Sequence, residues 1–496
     1  MRIVEADIAI VGSGAGGGTV AARLAPLVAR GKRVILFEQG PRFDYRRFNG
    51  HELEMSRMLY REGGGFMVAD GTVSLAFVEG YGGSTVVYTG TSLEPPARII
   101  ERWNLPGLSP DELVRRARCY AQDNGVHALP AAQINENNRL FVAGCRELGW
   151  NATQFAVNTR GCLGSGLCNL GCPNNAKQGT HVVQLPRAES RGVEVITRAR
   201  VMRLRERRLE VEVGLNPDGS PGEWEPGNYE VRARRVILAG GVVGSTTLLL
   251  RSGFDRTLPA VGRYFTCQPA HILVAEHPHP VQNALGHPKS FLWDERIESD
   301  HFFLETCMYP PFITAKNMTG FGPDHERFLR RFDHLQMILV LACDEALPNQ
   351  RIVLDRRGNP QVRYRLDSRT IRALVGGTRA AAKIFFAAGA LRVHAPSARP
   401  TCLETDARDR IETRIRTEYF LPGTVSVSAA HLMGGCRMGR SATDSVTNVD
   451  GQVHGYPWLH VADASLFPTA LEANPYLTIM ALADRVADAV LDKEHA

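Results

Sequence analysis

The chain opens on an apolar run, ADIAIV, that gives way at once to glycines, GSGAGGG, and then to an alanine-rich stretch, TVAARLA. Such a pattern predicts a buried strand, a tight turn and a helix, and GKRVILFEQG predicts a second strand ending at Glu38. Residues 193–241 read as VEVITRARVMRL, RLEVEVGL, a polar turn NPDGSPGEWEPGN and YEVRARRVILAGG. Alternating β-branched and polar positions around Gly, Pro and Asn predict a small antiparallel meander that rejoins a parallel sheet at VILAGG. The following VVGSTTLLLRSG predicts a helix, 351–365 a hairpin, 369–390 an amphipathic helix ending at a glycine, and NPYLTIMALADRVADAVL a helix begun by Pro475. No internal repeat interrupts this order. Nucleotide-sheet segments alternate with other material, which implies an α/β protein of two domains, each assembled from non-contiguous pieces.

Composition narrows the class. The chain has 496 residues, 44% hydrophobic and 22% charged, enough for about three domain-sized cores. A net charge of +6 with no basic cluster interleaved with aromatics argues against a nucleic-acid partner. The N-terminus runs straight into a strand with no signal-peptide pattern, and no run approaches the roughly 18 apolar residues of a membrane span. The expectation is a cytoplasmic location with no membrane span, unless a partner subunit carries the chain elsewhere. Ten Cys over this length are not a disulfide framework.

Gly12, Gly14 and Gly17 fit the G-x-G-x-x-G spacing between a strand and a helix. The first lets the chain turn, the second admits a pyrophosphate to the backbone, and the third lets helix and strand pack closely. The helix N-terminus then favours the anion. Glu38 ends the second strand at the distance where an acid accepts from ribose hydroxyls. NAD and FAD both use this turn, so the fingerprint leaves the cofactor open.

The other segments resemble the glucose-methanol-choline (GMC) flavin oxidoreductases. AAHLMGGCRMG and VHGYPWLHVADASLFPTALEANPYLTIMALADRVADAVL look like that family's closing signature. EGYGGSTVVYTGTSLEPP at 79–96 and VILAGGVVGSTTLLLRSG at 236–253 match it as well, in the family's order. The resemblance implies FAD. It also implies an FAD-binding Rossmann-like domain from 1–95, 185–265 and 425–496, and a discontinuous substrate-binding domain with an antiparallel sheet from 96–184 and 266–424.

Carried over residue by residue, the resemblance gives His431 the place of the active-site base and Asn474, before Pro475, that of the second catalytic residue. Asp463 falls where an Asp touches the FAD linker, Gly82, Gly83 and Ser84 where a loop passes the flavin and pyrophosphate, and Val201 where a backbone amide meets the adenine. Tyr88 departs from the family's usual Asn. These residue types also suit the chemistry directly. A neutral His can take the hydroxyl proton while hydride leaves the same carbon for flavin N5, and an Asn amide can orient the oxygen. A helix beginning at Pro475 would point its positive end at the reduced ring. Cys436 reads as a packed small side chain.

The segment GCLGSGLCNLGCP places Cys162, Cys168 and Cys172 close together. Family members that feed a cytochrome subunit resemble it and carry an iron–sulfur cluster. The long-chain alcohol oxidase type has a similar segment without iron, and the continuation AKQGTHVVQLPRAESRGVEVITRARV looks more like that group. A zinc site would need His181 as its local fourth ligand. A structural loop completes the alternatives.

The sequence therefore predicts FAD-dependent oxidation of an alcohol to an aldehyde or ketone, with oxygen or another electron acceptor. The apolar segments FFLETCMYPPFI and MILVLAC favour a bulky apolar substrate, although the same runs suit a sheet core. The rival readings are a dehydrogenase subunit passing electrons through a cluster to a protein partner, a non-redox FAD-containing lyase, and a nicotinamide dehydrogenase.

Overall fold

The computed structural model describes residues 1–282, 284–318, 322–398 and 401–495. The opening pattern forms as read: strand Arg2–Val11, helix Ala15–Leu24 and strand Val34–Phe37. Ile8, Ala9 and Ile10 are fully buried, because a strand in the middle of a parallel sheet is covered on both faces. The first strand pairs in parallel with Val34–Phe37 on one side and with Gly227–Leu238 on the other. The meander of Ala199–Arg205, Arg208–Val213 and Gly227–Leu238 is antiparallel, and Leu459–Val461 adds a parallel strand beside Gly227–Leu238.

A second sheet is built around Ala270–Glu276, Phe302–Thr306 and Leu335–Ala342. Its central strands pair antiparallel: Glu305 faces Leu339, which faces Ile272, and Leu292 lies beyond Glu305. Cross-strand partners share a face, so these four side chains form one row. The opposite face carries His271, Val340 and Phe302 and is covered by helix Ser368–Ala387. There His271 Nε2 lies 2.8 Å from Thr378 Oγ1, and a Cβ on Gly377 would meet Val340 and Phe302. Val73–Leu75 and Val427–Ala429, which the expected boundaries at 95 and 425 put with the FAD-binding domain, pair with each other, and the latter also with Ala270–Glu276 of this second sheet. Helix Tyr476–His495 closes the chain where the NPYL pattern placed it. Among the described residues no helix is long and apolar enough to cross a membrane.

Candidate active site

Two glycine segments meet at the end of the first strand. Gly12 has φ +103°, and a Cβ there would sit 2.3 Å from the Ala239 carbonyl oxygen. Gly83 has φ +52°, and its Cβ would fall 2.8 Å from Gly14 Cα. On Gly14 itself a Cβ would meet nothing nearer than 4.0 Å, so the backbone there borders open space. Gly14 caps helix Ala15–Leu24 with no side-chain hydrogen bond, leaving first-turn N–H groups for a ligand. Gly17 packs against the Gly12 carbonyl, as its place in the fingerprint requires. This cradle, tightly closed by backbone at Gly12, Gly17 and Gly83 and roomier at Gly14, fits a dinucleotide pyrophosphate.

The side chains around it are already committed. Glu38 Oε2 accepts from Ser13 N and Oγ (3.1 and 2.6 Å), and Oε1 accepts from Gly40 N (2.9 Å). Burial pushes its pKa up to about 7 despite those donors. Gly82 N donates to Ser13 Oγ (3.0 Å), which ties the 80–84 loop to the first turn, and Ser84 Oγ accepts from Val78 N (3.2 Å). Asp463 is similarly occupied: Oδ2 accepts from Gly241 N and Ser245 Oγ, and Oδ1 from Ser465 N and Oγ. Four donors use the acceptor capacity of that carboxylate. Val201 lies in strand Ala199–Arg205, two residues beyond Ala199, whose N–H donates to the Glu38 carbonyl (2.9 Å).

His431 and Asn474, the expected catalytic pair, come from two loops. His431 follows strand Val427–Ala429, and Met433 and Thr266 exchange backbone hydrogen bonds (2.9 Å each) that pin it beside residues 266–268. Asn474 and Pro475 precede the tail helix, where Ile479 N donates to the Pro475 carbonyl (2.9 Å). The two side chains meet, Asn474 Nδ2 lying 3.4 Å from His431 Nε2. His431 Nδ1 is 2.5 Å from the Gln268 side-chain amide. With the amide oxygen toward it, Nδ1–H donates and the Nε2 lone pair faces the Asn474 amide nitrogen. Turned over, the amide nitrogen donates to Nδ1 and the oxygen accepts from Glu472 N (3.3 Å) and Ala473 N (3.2 Å). Burial lowers the His431 pKa to about 4, so the imidazole is neutral at physiological pH.

Tyr88, at the position of the departure, donates no charge to this site. Its hydroxyl meets Asn158 Nδ2, and its ring packs edge-on against Tyr476 at 5.0 Å. Cys436 is fully buried beside Thr246 Oγ1 (3.5 Å), and burial raises its thiol to about 12. Cys162, Cys168 and Cys172 line one small cavity with the buried Lys177, whose Nζ donates to the carbonyls of Val86 (3.0 Å) and Cys168 (2.6 Å). Among the described residues no three His, Cys, Asp or Glu side chains are grouped to hold a metal ion. The cluster expectation thus rests on Cys spacing alone. His181 packs against Gly82 instead of lining that cavity. Gln268 was not among the expected residues, since it lies in no motif.

Known proteins resemble the chain over nearly its whole length. Family models described as GMC oxidoreductase match residues 56–270 and 351–483. An uncharacterized GMC-type oxidoreductase of Mycobacterium tuberculosis is 32% identical over 502 residues, covering 99% of this chain and 76% of that protein. A long-chain-alcohol oxidase of Arabidopsis thaliana is 26% identical over 539 residues, covering 99% of this chain and 67% of the relative. Among solved structures, pyridoxine 4-oxidase from Mesorbium loti superposes with a TM-score of 0.71 at 18% identity over 99% of both chains. A formate oxidase variant from Aspergillus oryzae does so with 0.71 at 15% identity, again over 99% of both.

Proposed function

The chain belongs to the GMC oxidoreductase family and is an FAD-dependent oxidoreductase acting on a CH–OH group, and from that premise we propose that it oxidises a bulky, largely apolar alcohol to an aldehyde or ketone with His431 as base. The observation that carries the assignment of the base is the convergence of His431, Asn474 and Gln268 from three separate parts of the chain. With its amide nitrogen donating to the Ala473 carbonyl (3.3 Å) and its oxygen accepting from Nδ1–H, Gln268 leaves Nε2 able to take the hydroxyl proton. Asn474 hydrogen-bonds the same oxygen and orients it, because its amide does not titrate. Bound FAD supplies the acceptor for the hydride that leaves the carbinol carbon. Gly12, Gly14, Gly82 and Gly83 would hold its phosphates by backbone approach, Gly17 letting the helix pack against that turn, and the helix begun by Pro475 would serve the ring. Oxygen is the terminal electron acceptor we favour, on the strength of the similarity to an alcohol oxidase.

Support for the apolar substrate comes from the similarity to a long-chain-alcohol oxidase. Ala270, Ile272, Phe303, Leu339 and Leu341 share the face of the second sheet turned away from helix Ser368–Ala387 and pack there with Met318 and Phe328 as core. The deciding experiment is an anaerobic visible spectrum of the purified protein, with iron analysis, before and after apolar and sugar alcohols. Bleaching of two flavin bands by an apolar alcohol, with no iron, supports this reading. Flavin that stays oxidised with every alcohol points to the lyase alternative. Several irons per flavin would assign Cys162, Cys168 and Cys172 to a cluster and redirect the search to a protein electron acceptor.

A further inference from the structure

The face of the second sheet turned away from helix Ser368–Ala387 carries a buried charge pair near its middle. Lys289 Nζ donates to Glu305 Oε2 at 2.5 Å, and the two side chains are 8% and 0% exposed. The other carboxylate oxygen, Glu305 Oε1, is buried with no hydrogen-bond partner among the described residues. A charged acceptor left unmade inside a protein is costly, and the cost is recovered when a donor arrives.

The register locates that oxygen. Glu305 stands in the row Ile272, Leu339, Glu305, Leu292, on the sheet face opposite helix Ser368–Ala387. At one end of this face, two residues before Ala270, Gln268 grips His431. At the other end Leu292 packs with Val157, which pairs with Thr91. The next residue, Ser92, has its Oγ 2.5 Å from the hydroxyl of Tyr476, two residues after Asn474. The residues that hold His431 and Asn474 are thus tied to elements adjoining the sheet that carries Glu305. His431 also registers both charges, Glu305 pulling its pKa up and Lys289 pushing it down.

We propose that Glu305 Oε1 is a second polar anchor of the substrate pocket, accepting a hydrogen bond from a hydroxyl or amine that the substrate carries apart from its oxidised carbon. The inference rests on the alcohol-oxidation reading and narrows it: the substrate is a diol or amino alcohol with an apolar body. Lys289 holds the carboxylate in place and occupies only Oε2, so Oε1 has acceptor capacity to spare. A substrate carboxylate at this point would meet like charge and be rejected.

The test is anaerobic flavin reduction in the purified holoenzyme by linear mono-ols, matching α,ω-diols, ω-amino alcohols and ω-hydroxy acids over a series of chain lengths. At the best length a bifunctional alcohol should exceed its mono-ol in kcat/KM by roughly 10- to 100-fold, as a hydrogen bond to a charged group allows. In Glu305→Gln that ratio should fall to within about threefold of one, since the charge-assisted bond is gone. A Glu305→Met, Lys289→Met double variant should give the same collapse and decides the matter if the single variant does not fold. Equal use of mono-ols and bifunctional alcohols by the unaltered enzyme would overturn the inference while leaving alcohol oxidation intact. So would a preference that survives in the variants. Bleaching by no alcohol of any kind would overturn the alcohol reading and this inference with it.

Discussion

Gln268 and His431, 163 residues apart, meet at 2.5 Å through the side-chain amide and Nδ1. The amide orientation chooses the imidazole tautomer, and only the form protonated on Nδ1 presents Nε2 as a base. Gln268→Leu should therefore lower the rate of flavin reduction by tenfold or more, up to the roughly 10² to 10⁴ that a positioned general base contributes in all. FAD content should stay unchanged. Gln268→Glu can only accept from Nδ1–H once ionised. It should retain more activity than the Leu variant and shift the acid limb to higher pH, because a neighbouring anion favours imidazolium. Stopped-flow reduction across pH checks both, and equal rates in the Leu variant would remove Gln268 from the machinery.

The pH dependence of the parent enzyme follows from burial. The base form of His431 is the neutral one, and its pKa in the folded protein is lowered to about 4. Activity carried by His431 is thus full at neutral pH and is lost as pH falls through about 4, not through the ordinary value near 6.5. For stability the sign is the same. The unfolded chain takes up the proton first, so the contribution of the neutral imidazole is present above about 6.5 and fades between 6.5 and 4. A kcat/KM profile with its acid limb near 6.5 would show that the titrating base is not this buried ring.

Much of this arrangement was legible in the sequence. Glycine spacing, a strand before it and an acid after it identify the cradle, since each glycine answers a backbone contact within a short stretch of chain. The tail helix and the hairpin at 351–365 follow from local pattern and turn chemistry in the same way. Gln268 and Lys289 were not legible, because what gives them meaning is a cross-chain contact that no local spacing encodes. Glu305 left a faint trace as the single charge in FFLETCMYPPFI, but the run reads as plain sheet core until strand pairing shows which face the carboxylate shares. Val73–Leu75 and Val427–Ala429 fall inside the bounds 1–95 and 425–496 expected for the FAD-binding domain, yet they pair with each other and, through Ser428 and Ala270, with the second sheet, a long-range pairing that no local spacing encodes.

Gly14 and Gly83 separate cofactor binding from folding. A Cβ at Gly83 would press on Gly14 Cα at 2.8 Å in a left-handed backbone, so Gly83→Ala should destabilise even the cofactor-free protein by about 1–3 kcal/mol. A Cβ at Gly14 meets no protein atom nearer than 4.0 Å. Gly14→Ala should leave the melting temperature of the cofactor-free protein nearly unchanged while FAD affinity drops by tenfold or more. Calorimetry of the stripped protein and fluorescence titration with FAD measure the two effects separately. Unaltered FAD binding in Gly14→Ala would mean that the pyrophosphate lies elsewhere.

Asp463 poses the converse question, because its position suggests a cofactor contact while its oxygens are held by protein donors. Gly241 N and Ser245 Oγ bind Oδ2, and Ser465 N and Oγ bind Oδ1. These bonds join the N-terminus of helix Gly241–Arg251 to the turn after strand Leu459–Val461. In Asp463→Asn one oxygen becomes an NH₂ group facing donors, which removes two acceptor bonds and opposes like groups. The cofactor-free protein should lose about 2–4 kcal/mol of stability, on the scale of one or two buried hydrogen bonds to a charged group. Denaturant unfolding of the stripped variant makes the measurement. If stability holds and only FAD affinity falls, the carboxylate acts on the cofactor directly, and its protein partners must give way when FAD binds.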